Sequence, residues 1–383
     1  MSDIRVRLAD GTERMLPFHT EINRLVAEVP PDPSGLPWIG AVVNNDVTSL
    51  SYALEADSEI RLLTMADPHG WHIYSRTVSF LLAKSAHELF SGARFSVRYA
   101  LGSGLYCLLE RDGAPEGLTA EETGRLEAAM REIVARNLPI ERRKIGFSRA
   151  MELFEASGQR DLLNLLQYRN PPRIVLHVCG EFYDLAQGPL APATGLIPRF
   201  ALVHQAPGFI LQLPTREDPR TVPPPAELPH LLKIYHEHLE WGRILGVNTV
   251  GRLNELITAG EVREVVHLAE ALHEKKVALI ADRIHARRHH VRLIQVAGPS
   301  SAGKTTFSKR LSIQLRVNGL RAVMISLDDY FVARDRTPRD AEGRYDFEHI
   351  EALDLELFNR NLEDLIAGRE VDLPTFNFET KTR

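Results

Sequence analysis

The chain has 383 residues, of which 44% are hydrophobic and 25% charged, and its formal net charge is −5. This length predicts two or three domains, and the composition is that of ordinary globular domains rather than of a disordered or fibrous chain. The negative net charge excludes a global positive field that would draw the molecule to nucleic acid or membrane, although local basic runs remain.

The two cysteines, Cys107 and Cys179, show neither a metal-binding nor a redox spacing, which fits a reducing compartment. The N-terminus lacks the apolar core of a signal peptide, and no stretch of 18 or more apolar residues occurs. We therefore expect a cytoplasmic protein without a membrane span.

Residues 1–65 are predicted to form a small, mostly β module. The alternation of apolar and other residues over Ile4–Leu8 predicts a strand, and Asp10-Gly11 predicts a hairpin turn. The remaining predicted features are a short helix at Thr20–Val29, strands at Ile39–Val43 and Glu59–Leu63, and a turn at Asn44–Asp46.

Residues 66–215 are predicted to form a larger α+β region. Helices are expected over Ser75–Leu89, Thr119–Asn137 and Ser148–Ser157, and strands over Phe95–Tyr99, Leu105–Leu109, Arg173–Val178 and Phe200–Leu213. Thr119 and Glu122 have the spacing of a capping box. The basic runs Glu141–Lys144 and Arg287–Arg292 either are solvated helix ends, as charge runs usually are, or contact RNA phosphates.

Residues 216–290 are predicted to be a linker and a helical connector. Pro214–Pro229 is rich in proline, and helical stretches are expected over Leu231–Leu245, Thr249–Ala259 and Glu261–Arg288. The last helix carries an apolar stripe, which either packs against a neighbouring domain or binds a partner: Val262, Val265, Val266, Ala269 and Leu272.

From Val291 onward the pattern becomes that of an α/β domain. Strands are predicted at Val291–Ala297 and Arg321–Leu327, and helices at Lys304–Val317 and Leu353–Ala367. The order strand, loop, helix, strand is typical of a parallel sheet.

The loop between the first of these strands and its helix matches G-x-x-x-x-G-K-[ST] over Gly298–Thr305. Glycines let successive N–H groups converge on phosphate oxygens, and the helix dipole favours an anion there. Lys304 is expected to reach the β- and γ-phosphates, and the Thr305 hydroxyl to bind Mg²⁺. The alternative is a fortuitous glycine turn. The predicted cofactors are ATP and Mg²⁺, and the predicted cofactor-binding residues are Gly298, Ser300, Ser301, Ala302, Gly303, Lys304, Thr305 and Thr306.

An acidic pair follows the second predicted strand, within Ser326–Phe331. Carboxylates at the C-terminal end of a strand face the ligand crevice of an open α/β sheet. Asp328 is therefore predicted to be a general base or a ligand of a Mg²⁺-bound water. The alternative is a turn aspartate that caps the next segment.

Residues 291–383 resemble the uridine kinase and phosphoribulokinase family of P-loop kinases. The resemblance is carried by Gly298–Thr305, Ser326–Phe331, Tyr345–Phe347 and Leu373–Phe378. It implies that Asp328 accepts the proton of the attacking sugar hydroxyl, that Asp346 helps to hold the ribose, and that Phe376 lines the nucleoside pocket. A histidine that contacts the base in uridine kinases is Lys381 here, so uridine itself is not implied.

The family's kinase domain continues with a strand that carries a Mg²⁺-linked acidic residue and with an arginine-bearing lid, which this sequence ending at Arg383 does not contain. In this class another strand lies between the two predicted ones. The resemblance therefore implies an incomplete phosphotransferase with weak nucleotide binding and impaired turnover. For Phe376 and Phe378, core packing at an edge strand is the alternative role.

Residues 1–65 resemble the β-grasp TGS domain of threonyl-tRNA synthetases, on Ile4–Gly11 and Ala41–Asn44. Residues 66–215 resemble the editing domain of those enzymes, on Gly180–Leu185, Gly188-Pro189 and Ala193–Gly195.

The editing family carries two histidines four residues apart on a helix, and later a cysteine and a histidine. At these positions the chain has Arg76 and Phe80, then Ala186 and Leu190. These side chains cannot supply that chemistry, so we expect a scaffold or a ligand-sensing module without editing or metal binding. His177 and Cys179 are expected to be buried core residues rather than ligands.

The sequence thus predicts a multidomain protein with a β-grasp module, an α+β synthetase-like domain, a helical connector and an incomplete P-loop α/β domain. This order of blocks resembles a bacterial group of uridine kinase-like proteins. The expected function is ATP-dependent phosphorylation of a hydroxyl on a uridine-like nucleoside or a related sugar. The alternative is a non-catalytic nucleotide- or RNA-binding regulator, and a homo-oligomer is left open.

The predicted catalytic residues are Lys304 and Asp328. The predicted metal ligands are Thr305 and Asp328, and the predicted substrate contacts are Asp346, Phe376 and Lys381.

Overall fold

The chain divides into two compact units, Met1–Val262 and Arg263–Arg383. The computed structural model describes residues 3–111, 117–169, 171–299, 301–377 and 379–380. Ser300, Phe378 and Lys381, which carry sequence predictions, lie outside these residues. The described part mixes helices with several sheets, as expected for a multidomain chain, and the finer four-part division stays a prediction.

The first unit begins with a five-stranded sheet in the order β2-β1-β5-β3-β4. Its elements are β1 (Ile4–Leu8), β2 (Glu13–Leu16), α1 (Ile22–Val26), β3 (Gly40–Val43), β4 (Asp46–Thr48) and β5 (Ser58–Leu63). β1 and β5 run parallel, and the other neighbours are antiparallel. The φ angles of Asn44 and Asn45, 47° and 71°, are those of a tight left-handed hairpin turn, which explains the predicted turn and adds β4, which was not predicted.

The rest of this unit holds a four-stranded sheet, β11-β12-β7-β6, and a three-stranded sheet, β10-β9-β8. The elements are α2 (Pro68–Leu89), β6 (Arg94–Leu101), β7 (Gly104–Glu110), α3 (Ala120–Ala135), β8 (Glu141–Gly146), α4 (Phe147–Ala156), α5 (Arg160–Leu166), β9 (Arg173–Cys179), β10 (Phe182–Leu185), β11 (Ala201–Gln205) and β12 (Gly208–Gln212). The predicted capping box is confirmed: the Glu122 N–H donates to Thr119 Oγ1 (3.2 Å), and the Thr119 N–H donates to the Glu122 carboxylate (2.9 Å).

Two sequence predictions in this region are wrong. Phe200–Leu213 is not one strand but the hairpin β11–β12, because Pro207 has no N–H for a ladder and marks the turn. Glu141–Lys144 is not a helix end but part of β8, at the edge of its sheet. An edge strand tolerates such charged residues because their side chains stay in water.

The largest core lies between the four-stranded sheet and helices α2 and α3. Its members are buried apolar side chains that include Val78, Leu81, Leu126, Phe209 and Leu211. This face-to-face burial of a sheet on two helices is the main stabilising contact of the region.

The opposite face of the four-stranded sheet is covered by a helix of the connector, which follows the irregular segment at 213–228. The connector helices are α6 (Pro229–Leu245), α7 (Val250–Thr258) and α8 (Val262–Ala286). Tyr235 of α6 stacks on Tyr99 with ring centroids 4.1 Å apart, and its hydroxyl donates to the Ala100 carbonyl (3.2 Å). Val266 of the predicted stripe on α8 is exposed.

A small core of the second unit lies between two of its helices. The elements that follow α8 are α9 (Lys304–Val317) and α10 (Leu355–Ile366). Val277 and Ala281 of α8 pack against Leu311 and Leu315 of α9. Among the helices that the structure describes, none is long and apolar enough to cross a bilayer.

The two strands predicted in this unit are wrong: Val291–Ala297 and Arg321–Leu327 form no strand, and Leu327–Tyr330 is a 3-10 helix. Within the described residues, no backbone hydrogen bond involves residues 292–297 or 321–325. Large apolar side chains there are exposed to 45%, 39%, 60% and 45%: Leu293, Ile294, Val323 and Met324. An extended segment becomes a strand only when a neighbour accepts its hydrogen bonds, and no described residue pairs with either segment.

Candidate nucleotide-binding site

The loop Gly298–Thr305 is curled. The Lys304 ammonium donates to the carbonyl oxygens of Gly298 (2.8 Å) and Pro299 (2.9 Å), so the end of the loop folds back onto its beginning. A Cβ atom on Gly298 would lie 3.6 Å from the Cβ of Ala302, which is ordinary contact. The described residues at the two ends of this loop therefore lie close together at the start of α9.

Two residues of the loop have left-handed backbone conformations. The φ angles are 60° at Ser301 and 81° at Gly303, while Ala302 between them is not left-handed. At Ser301 this conformation costs roughly 1–2 kcal/mol, because its Cβ crowds a carbonyl oxygen. Alternating handedness turns successive N–H groups toward one side, which is the arrangement of anion-binding nests. The strain at Ser301 is thus placed where a phosphate would be held.

Helix α9 begins directly behind this loop and carries no acidic residue in its first turn. The Phe307 N–H donates to the Gly303 carbonyl (2.9 Å), but the N–H groups of Thr305 and Thr306 donate to no described residue. Such orphan donors at a helix N-terminus, reinforced by the helix dipole, attract anions. With the Lys304 ammonium and the exposed Thr305 hydroxyl, the residues present fit a nucleotide phosphate chain and a Mg²⁺ ion.

The two adjacent aspartates behind the second extended segment have different surroundings. The Asp329 carboxylate accepts the Phe376 N–H (3.1 Å), which ties the 3-10 helix to the segment around Phe376. Asp328 is exposed and makes no hydrogen bond or ion pair with a described residue. Asp329 is therefore a structural residue, whereas the carboxylate of Asp328 is available for a proton or a metal-bound water.

A row of aromatic rings lies beside this 3-10 helix. Phe331 is 5.8 Å from Phe376 and 6.0 Å from Phe347, and Phe347 is 6.3 Å from Tyr345. Phe347 is 51% exposed. The sequence assigned a role only to Phe376. The recurrence of aromatic residues in the motifs around it was the signal that could have included Phe331 and Phe347.

Asp346, the predicted ribose contact, closes a local turn. One of its oxygens accepts the N–H groups of Glu348 (3.0 Å) and His349 (3.1 Å), and its own N–H donates to the Pro338 carbonyl (2.8 Å). The structure brings Asp346 next to Tyr345 and Phe347 of the aromatic row. Its role toward a ribose stays a prediction.

Some of the positions that the resemblance to editing domains singles out lie in an apolar core of the synthetase-like region. Phe80 and Leu190 are both buried in one apolar cluster with Ile140, Cys179 and Phe182. Arg76 lies against the backbone of Gly188, since a Cβ there would come within 2.8 Å of its guanidinium. Two of the four positions that the resemblance singles out, Phe80 and Leu190, therefore belong to a hydrophobic core.

His177 and Cys179 are buried, as predicted. His177 Nε2 donates to the Gly188 carbonyl (2.8 Å). Burial lowers the pKa of His177, and the neighbouring Arg142 guanidinium lowers it further, which favours the neutral ring. Burial also raises the pKa of the Cys179 thiol. Within the part of the chain that the structure describes, no three His, Cys, Asp or Glu side chains are grouped to hold a metal ion.

Comparison with known proteins relates different parts of the chain to different families. Residues 293–383 match the model of the Phosphoribulokinase / Uridine kinase family. The first 200 or so residues match threonine–tRNA ligases. The ligase of Thermotoga maritima is 32% identical over 204 residues, which are 52% of this chain and 30% of the ligase. That of Pelobacter propionicus is 30% identical over 211 residues, 55% of this chain and 32% of the ligase.

The chain thus spans about a third of the length of the curated relatives that it matches. The expected combination of a synthetase-like region with a kinase-family segment is confirmed. The kinase-family match supports a kinase-like, nucleotide-binding role, and the ligases give no support for a particular nucleoside.

Proposed function

We propose that the segment after α8 binds ATP and Mg²⁺ in the curled loop and transfers the terminal phosphoryl group to a hydroxyl of a nucleoside or a related sugar. The observation that carries this proposal is the loop itself. Its lysine, its left-handed residues and the orphan N–H groups of Thr305 and Thr306 all lie where a phosphate chain would be bound. The kinase-family match of residues 293–383 supports it independently.

Each residue of the site has a defined task in this proposal. The Lys304 ammonium exchanges two neutral carbonyl acceptors for charged phosphate oxygens, which form stronger hydrogen bonds with a cation. Thr305 supplies a hydroxyl ligand for Mg²⁺, and ATP supplies the phosphoryl group. Asp328 orients the acceptor hydroxyl and takes its proton, or holds a metal-bound water.

The acceptor would lie along the aromatic row. Phe331, Phe347 and Phe376 offer ring faces and edges to a base or to the apolar face of a sugar. The exposed ring of Phe347 is the most accessible of the three. This surface is compatible with either acceptor class.

A second candidate function is a nucleotide- or RNA-binding regulator without turnover. The extended segments on both sides of the loop pair with no described residue, and phosphoryl transfer needs groups that are held to within about 0.5 Å. Edge strand β8 also exposes Arg142, Arg143 and Lys144, whose charges could contact RNA phosphates. Because these segments are unpaired among the described residues, we expect weak nucleotide binding and slow turnover.

Measuring ATP consumption against a panel of nucleosides and sugars separates the two candidates. The kinase proposal predicts turnover that falls at least about 100-fold in Lys304→Ala. Lys309→Ala, on the exposed side of the same helix, is the matched control and should keep full activity. Asp328→Asn should lose turnover but still bind ATP.

Nucleotide binding without turnover on any acceptor would favour the regulator. RNA binding that is unchanged in Lys304→Ala would assign RNA binding to the first unit alone.

A further inference from the structure

A buried tyrosine ends the 3-10 helix that carries the two adjacent aspartates. Tyr330 is the last residue of this helix, Leu327–Tyr330, and it is 1% exposed. Its hydroxyl oxygen accepts a hydrogen bond from Nδ2 of Asn361 on α10 (3.1 Å), and Asn361 is 5% exposed. Buried polar groups are almost always paired in this way, and the net stabilisation by one such pair is modest. We therefore ask what geometry the pair specifies.

One face of α10 holds Tyr330 at three points. The Asp354 N–H donates to the Tyr330 carbonyl (2.8 Å). The Phe358 ring meets the Tyr330 ring edge to face, with centroids 5.2 Å apart. Asn361 binds the hydroxyl. Asp354, Phe358 and Asn361 follow the spacing i, i+4 and i+7, so they share one face over two turns of the helix.

The neighbouring aspartates leave the 3-10 helix in other directions. Such a helix has three residues per turn, so three consecutive side chains point about 120° apart. Tyr330 points to α10, and Asp329 points to the segment around Phe376, whose N–H it accepts (3.1 Å). The third direction belongs to Asp328, which is exposed. Because contacts fix two of the three directions, they also fix the direction in which the Asp328 side chain leaves the helix.

The hydrogen bond fixes the tyrosine more tightly than ring packing alone would. Dispersion contacts change little in free energy when one ring shifts over another, whereas an N–H···O bond weakens steeply outside its preferred distance and angle. Both polar atoms of the pair are buried, so a shift of the ring would leave them without a partner, which is costly in the interior. The bond between Asn361 and Tyr330 therefore selects one position of the ring, and through it one rotation of the 3-10 helix.

We propose that Asn361 is a positioning residue that directs the Asp328 carboxylate toward the acceptor hydroxyl by holding Tyr330. This inference rests on the proposed function, in which Asp328 takes the proton of that hydroxyl. Asn361 touches neither ATP nor the acceptor and acts through one turn of the 3-10 helix. A displacement of the base by about 1 Å slows the chemical step far more than it weakens substrate binding, because the transition state requires the closer geometry.

ATP consumption on the acceptor that gives the fastest turnover in the panel tests the positioning. Asn361→Ala removes the amide without crowding the interior, and it should lower kcat about tenfold or more while leaving the KM for ATP unchanged. Asn359→Ala is the matched control, because Asn359 is exposed on the same helix, and it should change neither constant. Tyr330→Phe removes the same hydrogen bond from the other side and should reproduce the effect, which keeps the test available should Asn361→Ala fail to fold.

A double variant separates positioning from a merely structural role. In the Asp328→Asn background, Asn361→Ala should not lower the residual turnover further, because the base that Asn361 directs is already absent. A loss of folded protein would instead lower turnover by the same factor in both backgrounds. An equal factor in the two backgrounds would therefore overturn the inference.

A second measurement needs no turnover. In carbon-13 NMR of the chain labelled at its aspartate carboxyl carbons, the Asp328 signal is the one that is missing from Asp328→Asn. Its chemical shift should change in Asn361→Ala and in Tyr330→Phe but not in Asn359→Ala. An unchanged Asp328 signal in folded Asn361→Ala or Tyr330→Phe would overturn the inference.

The inference and the kinase proposal fail in different ways. A displaced Asp328 signal in a chain that consumes no ATP on any acceptor would retain the positioning by Asn361 and refute the kinase proposal. Turnover by the native chain that stays complete in Asn361→Ala and Tyr330→Phe would retain the kinase proposal and refute the positioning.

Discussion

The synthetase-like region and the kinase-family segment differ in the part of each that is well formed: the packed core in the first and the phosphate loop in the second. The first has three sheets packed on helices around continuous cores, yet Phe80 and Leu190 are buried at positions where the resemblance to editing domains predicts histidines. The second keeps Lys304 and Thr305 in a curled loop, yet the extended segments on either side of that loop pair with no described residue. A fold tolerates the loss of polar groups when apolar side chains replace them, because the replacements add to the core. The curl of the phosphate loop rests on contacts between near neighbours, such as Lys304 with Gly298 and Pro299, which involve no strand among the described residues.

Hydrogen exchange should show the largest difference between the two regions. Amides of β7 and β12, paired inside the four-stranded sheet, should be protected about 1,000-fold or more, since they exchange only when the unit opens. Amides at 292–297 and 321–325 should exchange at nearly the rate of an unstructured chain, because they donate to no described backbone group. Mass spectrometry of exchanged peptides measures both. Strong protection of the amides at 321–325 against exchange would mean that a partner strand exists. It would contradict the proposed contrast between the two regions.

A matched pair of truncations tests the same contrast by stability. Leu81→Ala should lower the free energy of unfolding by about 3 kcal/mol, because it leaves a cavity in the largest core. Val323→Ala should change it by less than about 0.5 kcal/mol, because the side chain is exposed. Guanidinium unfolding followed by circular dichroism measures both values. A cost at Val323 approaching that at Leu81 would contradict the described exposure of this segment.

The local elements of the fold were largely predictable from the sequence. Alternation predicted β1, and the Thr119–Glu122 spacing predicted the capped start of α3, because both signals lie within a few residues. The strand predicted at Arg321–Leu327 does not form. Strand pairing depends on distant segments of the chain, and the local periodicity of the sequence carries no information about them. The site divides in the same way. Eight consecutive residues predicted the loop, whereas the contacts of Phe331 with Phe347 and Phe376 depend on separated chain segments that the fold brings together.

Asp184 tests whether the surroundings of His177 in the synthetase-like region are a packed interior. It lies opposite His177 across β9 and β10, and burial raises its pKa to about 6 from an ordinary value near 3.8. The folded state therefore holds this proton more tightly, and stability is lost as the pH rises from about 4 to about 6.

Asp184→Asn removes the charge that must be desolvated. The free energy of unfolding of the variant should exceed that of the native chain by about 2 kcal/mol at pH 7.5 and should equal it at pH 4. Unfolding curves between these pH values measure the gain, with the exposed Glu181→Gln as the control. A pH-independent effect of Asp184→Asn would show that the carboxylate is well solvated and that this part of the interior is open to water.

Helix caps should behave alike in both regions, because they are local. Thr119→Ala removes the cap of α3, and Asp354→Ala removes the side chain that accepts the Leu357 N–H (3.1 Å) at the start of α10. Each change should cost about 1 kcal/mol in thermal unfolding, while Thr119→Ser should cost little. A negligible cost at Asp354 alone would mean that even the local structure of the second unit is weaker than its contacts indicate.

Binding of ATP in the presence of Mg²⁺, measured by calorimetry on the native chain and on Lys304→Ala, tests most directly whether the curled loop holds a nucleotide. We predict one saturable site per chain whose affinity falls at least about tenfold in Lys304→Ala, because a charge-assisted contact is lost, and is unchanged in Lys309→Ala. No binding by the native chain, or equal binding by Lys304→Ala, would contradict the account.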